Sequence, residues 1–246
     1  MLSAGPSGRQ TAALVTLMLA HPSQAPVPRY TVPMLACAAF REEVRTEIRS
    51  ESGGVLRQET AGRDGVLLIV ATGSDSGTVL TAWYDSLAVW RKGPEGTSTP
   101  DTEGLLGGRW RGTLSAEGSY TTDRIPFIPD DVAQIADLRG VLADFLPSLA
   151  SGVLVAAPGQ NAGYTWSIKA RSDTAGAIND TLEVPMRRQS TEEGTLVWDP
   201  RLGPVHWERV ISVAGDISAK GPIRRAIRSL VTQRIRVSRL PGRACE

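Results

Sequence analysis

Residues 44–49 read Val-Arg-Thr-Glu-Ile-Arg, and this alternation decides the fold class. Val44, Thr46 and Ile48 fall on one side of an extended chain and Arg45, Glu47 and Arg49 on the other, the period-two pattern of a strand with one buried and one wet face. A helix would space its apolar residues three and four apart. The same period runs outward from Cys37 to Trp90. Val55–Ala61 and Val66–Thr72 read as two strands joined through Gly62-Arg63-Asp64-Gly65, because Asp-Gly accepts the positive φ angles of a tight hairpin. Gly73-Ser74-Asp75-Ser76-Gly77 predicts the next turn and Thr78–Arg91 the strand after it. Strands in such close succession predict an antiparallel meander, since parallel pairs need long crossovers.

Residues 93–104 are turn formers and predict an exposed loop, followed by a short strand over Arg109–Leu114. One main helix is expected midway. Pro129, Asp130 and Asp131 open it, Ile135, Leu138, Leu142 and Phe145 recur at three- and four-residue steps, and Pro147 closes it, with Gly140 on the exposed side or at a close contact. Strands return over Tyr164–Arg171, Ala177–Arg188, Gly194–Asp199, Val205–Val213 and the C-terminal segment that ends Arg234-Ile-Arg-Val-Ser-Arg-Leu240, read as strand throughout although Ile223, Ile227, Leu230 and Val231 also fit a helix upstream of Thr232. The expected fold is mainly β (α+β), a curved antiparallel sheet or half-barrel with one helix inserted midway.

The chain has 246 residues, 41% apolar and 22% charged, which is globular usage. Its 27 basic and 26 acidic residues leave a net charge of +1, so no global charge calls for nucleic acid, an anionic membrane or an acidic substrate. Residues 1–25 have the order of a secretory signal peptide: Arg9, an apolar stretch over Thr11–Ala20, then a polar, proline-rich tail. A linker over 26–36 and a single β-rich domain over 37–246 follow. The apolar stretch is too short to span a bilayer, and no later segment supplies a transmembrane span. A secreted or periplasmic location is expected. Met34-Leu-Ala-Cys37 has the look of a lipoprotein box, but Arg29, Thr31 and Pro33 interrupt the apolar run that should lead into it. Cys37 and Cys245, near the two ends of the mature chain, predict a disulfide in an oxidising compartment.

No GxSxG, HExxH, CxxC or SxxK motif occurs, and the histidines are only His21 and His206. The segment Gly104–Gly112 lacks the order of a phosphate loop and reads as close packing or a bulge at a strand entrance. His206 and Glu208 share a strand face and read as a cross-strand salt bridge or solvated face. Asp130 and Asp131 read as helix-start residues, and Asp137 and Asp144 as residues of its solvent face. The expectation is a non-catalytic protein with no cofactor and no metal. Candidate ligand-binding residues are Trp83, Trp90, Trp110, Trp166, Trp198 and Trp207, which would line an aromatic concave face or equally fill a closed core. A candidate basic surface comprises Arg224, Arg225, Arg228, Arg234, Arg236 and Arg239. Their alternation with Ile and Val suits the wet side of an outer strand, where Glu42, Glu43, Arg45 and Glu47 lie in reach for pairing.

In its order of elements over residues 40–240 and its recurring tryptophans, the chain resembles the LolA/LprG-like half-barrel proteins of bacterial envelopes. The resemblance implies an antiparallel sheet around an apolar cavity, an envelope location, and a lipid or other apolar or amphiphilic ligand as partner. It transfers no functional residue. The alternative is an envelope module that presents the Arg-rich C-terminal segment to a protein partner or a membrane surface.

Overall fold

The computed structural model describes residues 28–74, 77–149, 154–157, 163–178, 182–218 and 225–242. The expected signal peptide over 1–25 and Cys245 lie outside them. Two meanders build one open, curved antiparallel sheet. The first comprises β1 (Ala38–Ser52), β2 (Val55–Ser74), β3 (Gly77–Gly93), a short β4 (Gly96–Ser98), β5 (Trp110–Leu114) and β6 (Tyr120–Arg124). The second comprises β7 (Val155–Ala156), β8 (Gly163–Ile178), β9 (Leu182–Asp199), β10 (Gly203–Ile217) and β11 (Ile227–Leu240). Pairing of β1 with β11 joins the meanders into an 11-stranded sheet of order β6-β5-β3-β2-β1-β11-β10-β9-β8-β7, with β4 on β3. β11 is therefore a central strand and not the outer strand its arginines suggest.

Three further sequence expectations are corrected here. Gly62-Arg63-Asp64-Gly65 is not a turn: β2 runs straight through it. Gly62 and Gly65 serve close approach instead, since a Cβ on Gly62 would lie 2.6 Å from the Trp90 ring and one on Gly65 2.9 Å from the Tyr84 ring. An aromatic ring lying flat over a cross-strand glycine restores the packing that the missing side chain forfeits. The true β1–β2 turn is Gly53-Gly54, with φ of 59° and 81°, the double left-handed geometry of a type I′ hairpin. Ala177–Arg188 is likewise not one strand, because β8 ends at Ile178 and β9 begins at Leu182.

The third correction is the helix. Two short turns replace it, α2 (Asp130–Ala133) and α3 (Val141–Phe145). A continuous helix would use the carbonyls of Asp137 and Leu138 to accept from Val141 and Leu142. Those carbonyls instead accept from Arg63 Nη1 at 3.0 Å and Trp110 Nε1 at 2.9 Å. The Asp137 carboxylate meanwhile takes the Arg139 N–H at 3.0 Å and turns the chain. The apolar stripe still packs as its spacing predicts: Leu138, Leu142 and Phe145 are buried, and Phe145 meets Phe40 edge-on at 6.4 Å.

This segment, with a 3₁₀ turn at Glu103–Leu105 and the N-terminal stretch through α1 (Val32–Leu35), covers part of one sheet face. The hydrophobic core of the described residues lies between them. Tyr30 fastens the stretch, with its hydroxyl donating to the Pro147 carbonyl at 3.1 Å and its ring edge-on to Trp198 at 5.2 Å. At the β9–β10 turn the Asp199 carboxylate accepts the N–H groups of Leu202 and Arg201, and those bonds lower its pKa.

Candidate functional site

The register lines up inner-face residues in rungs. Arg63, Val44, Ile235, Arg209, Gly194 and Trp166 form one continuous rung over six strands. This rung is a boundary. On its α1 side the next inner rung contains Glu42, Val237, Trp207 and Leu196, all buried under the cover. On the other side stand Thr46, Gln233, Ile211 and Glu192, then Ile48, Val231, Val213 and Ser190, all only part-buried. These two rungs lie at and beyond the edge of the cover, which meets the first of them at Thr46 and Gln233.

The covered side is locked by a buried ion pair. Arg63 Nε and Nη2 donate to the two Glu42 carboxylate oxygens at 2.9 and 2.7 Å, and the Tyr84 hydroxyl donates to Glu42 at 3.0 Å. Glu42 is 1% exposed and Arg63 3%. Because Arg63 also holds the Asp137 carbonyl, the pair ties the cover to the sheet. Sequence reading missed it by setting Glu42 against the tail arginines. The signal was parity: Glu42 shares the inward parity of Phe40 and Val44.

On the open side a second polar group marks the end of the apolar strip. Trp166 Nε1 donates to Glu192 at 3.1 Å, and Arg209 lies 3.7 Å from the same carboxylate and 5.7 Å from the Trp207 ring. Gln233 reaches Thr46 at 3.4 Å. Where the cover meets this floor, Thr46, Gln233, Ile135, Ala136 and Asp137 line part of a cleft of about 320 Å³. The outer face carries wider depressions of about 590 and 570 Å³. Both are open hollows, the second including the Arg45–Asp64 pair at 3.1 Å, and they offer an apolar ligand less enclosure.

The six tryptophans do not share a face. Trp110, Trp198 and Trp207 are buried in the core, and Trp166 sits at the boundary over Gly194. Trp83 and Trp90 stand on the outer face, under Arg109 at 4.0 Å and Arg45 at 5.5 Å. Periodicity could not separate these sets, because a bulge between Val66 and Leu67 shifts the parity of β3 between Trp83 and Trp90.

Nor do the arginines form one free basic surface. Arg234 and Arg236 lie 3.5 and 3.4 Å from Glu208, and Arg236 also 3.7 Å from Glu43. Arg239 turns inward, donating to the Met34 carbonyl at 3.0 Å with its guanidinium over Phe40, and burial lowers its pKa against the opposing pull of Asp199. Arg225 and Arg228 remain exposed, and Arg224 lies outside the described residues. His206 Nδ1 meets Ser238 Oγ at 2.8 Å, a cross-strand contact. Gly112, at a register shift, packs against Tyr120, as its close-packing reading expected. No cluster of three metal-ligating side chains occurs among the described residues, nor any helix long and apolar enough to cross a membrane.

No family model matches the chain, and no curated protein matches it in sequence. Its fold is similar to part of lipovitellin, in a structure concerned with lipid–protein interactions in that protein. The TM-score is 0.50 at 11% identity, over 85% of this chain and 26% of that one. The chain thus spans about a quarter of lipovitellin's length, and the likeness is one of fold. A comparison with MucB in complex with MucA(peri) covers 85% of this chain and 91% of that one at 8% identity, but its TM-score of 0.11 carries no argument.

Proposed function

We propose that this chain binds an amphiphilic, lipid-like molecule on the uncovered half of its inner face and does no chemistry on it. The observation that carries the reading is the strip Ile48, Val231, Val213 and Ile211, part-buried apolar side chains that continue the core past the edge of its cover. Exposed apolar surface continuous with a core costs free energy in water at roughly 25 cal/mol per Å², which an apolar chain laid along it recovers. Thr46, Gln233 and the Arg209–Glu192 pair supply polar partners for a headgroup or ester beside that strip. A lipid class of ligand is what the resemblance to LolA/LprG-like proteins implies, and an open curved sheet is a fold shared with part of lipovitellin. The order of residues 1–25 supports an exported protein of the envelope.

The test is titration of the full chain with an environment-sensitive anionic fluorophore, followed by displacement with a fatty acid. Saturable binding, lost or weakened at least tenfold in Val213→Arg while the circular dichroism is unchanged, supports the reading. A linear, non-saturating signal, or equal affinity in the variant, overturns it.

A further inference from the structure

The sheet end remote from the cover has an apolar tip on both of its faces. Val55 and Leu56 follow the Gly53-Gly54 turn and are 57% and 67% exposed. Successive strand residues point to opposite faces, so a half-buried sheet shelters one and wets the other; here both are apolar and both stand in water. β3 cannot shelter them, since its pairing with β2 goes no further toward the tip than Thr60↔Lys92. The same last rung holds Ile227 and Ile217 beyond Ser52.

Basic side chains stand just behind this rim. Arg57 follows Leu56 and is exposed, as is Arg188 in the same rung. Arg228 is 75% exposed, with Asp216 at 3.8 Å and Glu51 as its register partner. Arg225 lies against the turn, so close that a Cβ on Gly53 would fall 2.6 Å from its Cδ. Arg225 and Arg228 line a cleft of about 340 Å³ with Gly53, Gly54, Glu51 and Ala226.

We infer that this end docks on an anionic phospholipid bilayer, with Val55 and Leu56 entering the boundary between headgroups and acyl chains and Arg225 and Arg228 engaging lipid phosphate. An apolar tip backed by arginines meets both requirements of interfacial binding, buried apolar area and attraction to anionic lipid. Arginine suits phosphate because its planar fork donates two parallel hydrogen bonds. The docking uses residues other than those of the open inner face, and the two readings stand or fall separately.

The experiment is co-sedimentation of the full chain with vesicles of phosphatidylcholine alone and of phosphatidylcholine mixed with phosphatidylglycerol. Partition into the anionic vesicles only, weakening as salt rises, is expected. Val55→Ser/Leu56→Ser and Arg225→Gln/Arg228→Gln should each lower it about tenfold. All four positions are exposed, and circular dichroism checks that each variant is folded. Val213→Arg should lose the fluorophore and keep the vesicles. No partition, equal partition into neutral vesicles, tip variants that behave like the parent chain, or loss of vesicle binding in Val213→Arg would each overturn the docking.

Discussion

Replacing Arg63 with Met leaves the Glu42 carboxylate in the core with the Tyr84 hydroxyl as its remaining described donor and releases the Asp137 carbonyl that ties the cover down. Both partners are almost wholly excluded from water, so solvent cannot take over either role. Stranding one charge of a buried pair costs about 3–5 kcal/mol, far above the 0–1 kcal/mol of an exposed pair such as Arg49–Glu47. For a chain of this length that is a fall in Tm of roughly 6–20 °C. The assay is urea unfolding followed by circular dichroism and by tryptophan fluorescence, on Arg63→Met, Glu42→Leu and the double variant. Removing both partners removes the stranded charge, so the double variant should cost less than the two singles together by about 2–3 kcal/mol. A single-variant cost below about 1 kcal/mol, or additive singles, would refute the reasoning. Water would then reach the pair, and the cover would be held by apolar packing alone.

Three further outcomes are expected. Gly194→Ala places a methyl where the Trp166 ring lies, so the ring must lift from the sheet; a loss of about 1–3 kcal/mol is expected, and unchanged stability with unchanged tryptophan emission would refute that packing. The Tyr120 pKa is raised to about 12 by burial and by Asp123, and burial raises that of Tyr30 well above its ordinary value. Unfolded tyrosines lose their protons near pH 10 and these keep theirs, so the unfolded chain binds fewer protons and stability falls as pH rises from about 10 through 12. Tyr120 is only part-buried, which reduces its share to about 1–2 kcal/mol, and tyrosinate absorbance that develops fully near pH 10 in the folded protein would contradict this. The Cys37–Cys245 disulfide expected from sequence should make the non-reduced chain two hydrogens lighter by intact mass and should stabilise by about 4–5 kcal/mol through its long loop; an unchanged mass on reduction would refute it.

The extended pattern was legible because alternation is a property of neighbouring residues. Val44, Thr46 and Ile48 point inward as their spacing requires, and β10 and β11 lie where alternation put strands. The helical stripe was legible too, but its continuity was not. Ile135, Leu138, Leu142 and Phe145 face the sheet, while Arg63 and Trp110, 74 and 28 residues away from their targets, take the two carbonyls that the middle turn would have used. At Gly62 and Gly65 the local turn signal was outweighed by rings from the neighbouring strand, which need the absence of a Cβ and not a positive φ.

The sequence by itself determined that this is a strand-rich chain, with an apolar and a charged side to most strands and an apolar segment to lay across them. Those features depend on backbone alternation and local spacing, which every residue carries in its immediate neighbourhood. Only the tertiary structure decided that β1 pairs with β11, bringing Thr46 and Gln233 together across 187 residues, and so set the rung where the cover stops. Register and bulges determine which tryptophans share a face and which arginines meet a carboxylate. The candidate site depends on that long-range pairing, and periodicity within one strand carries no record of its partner.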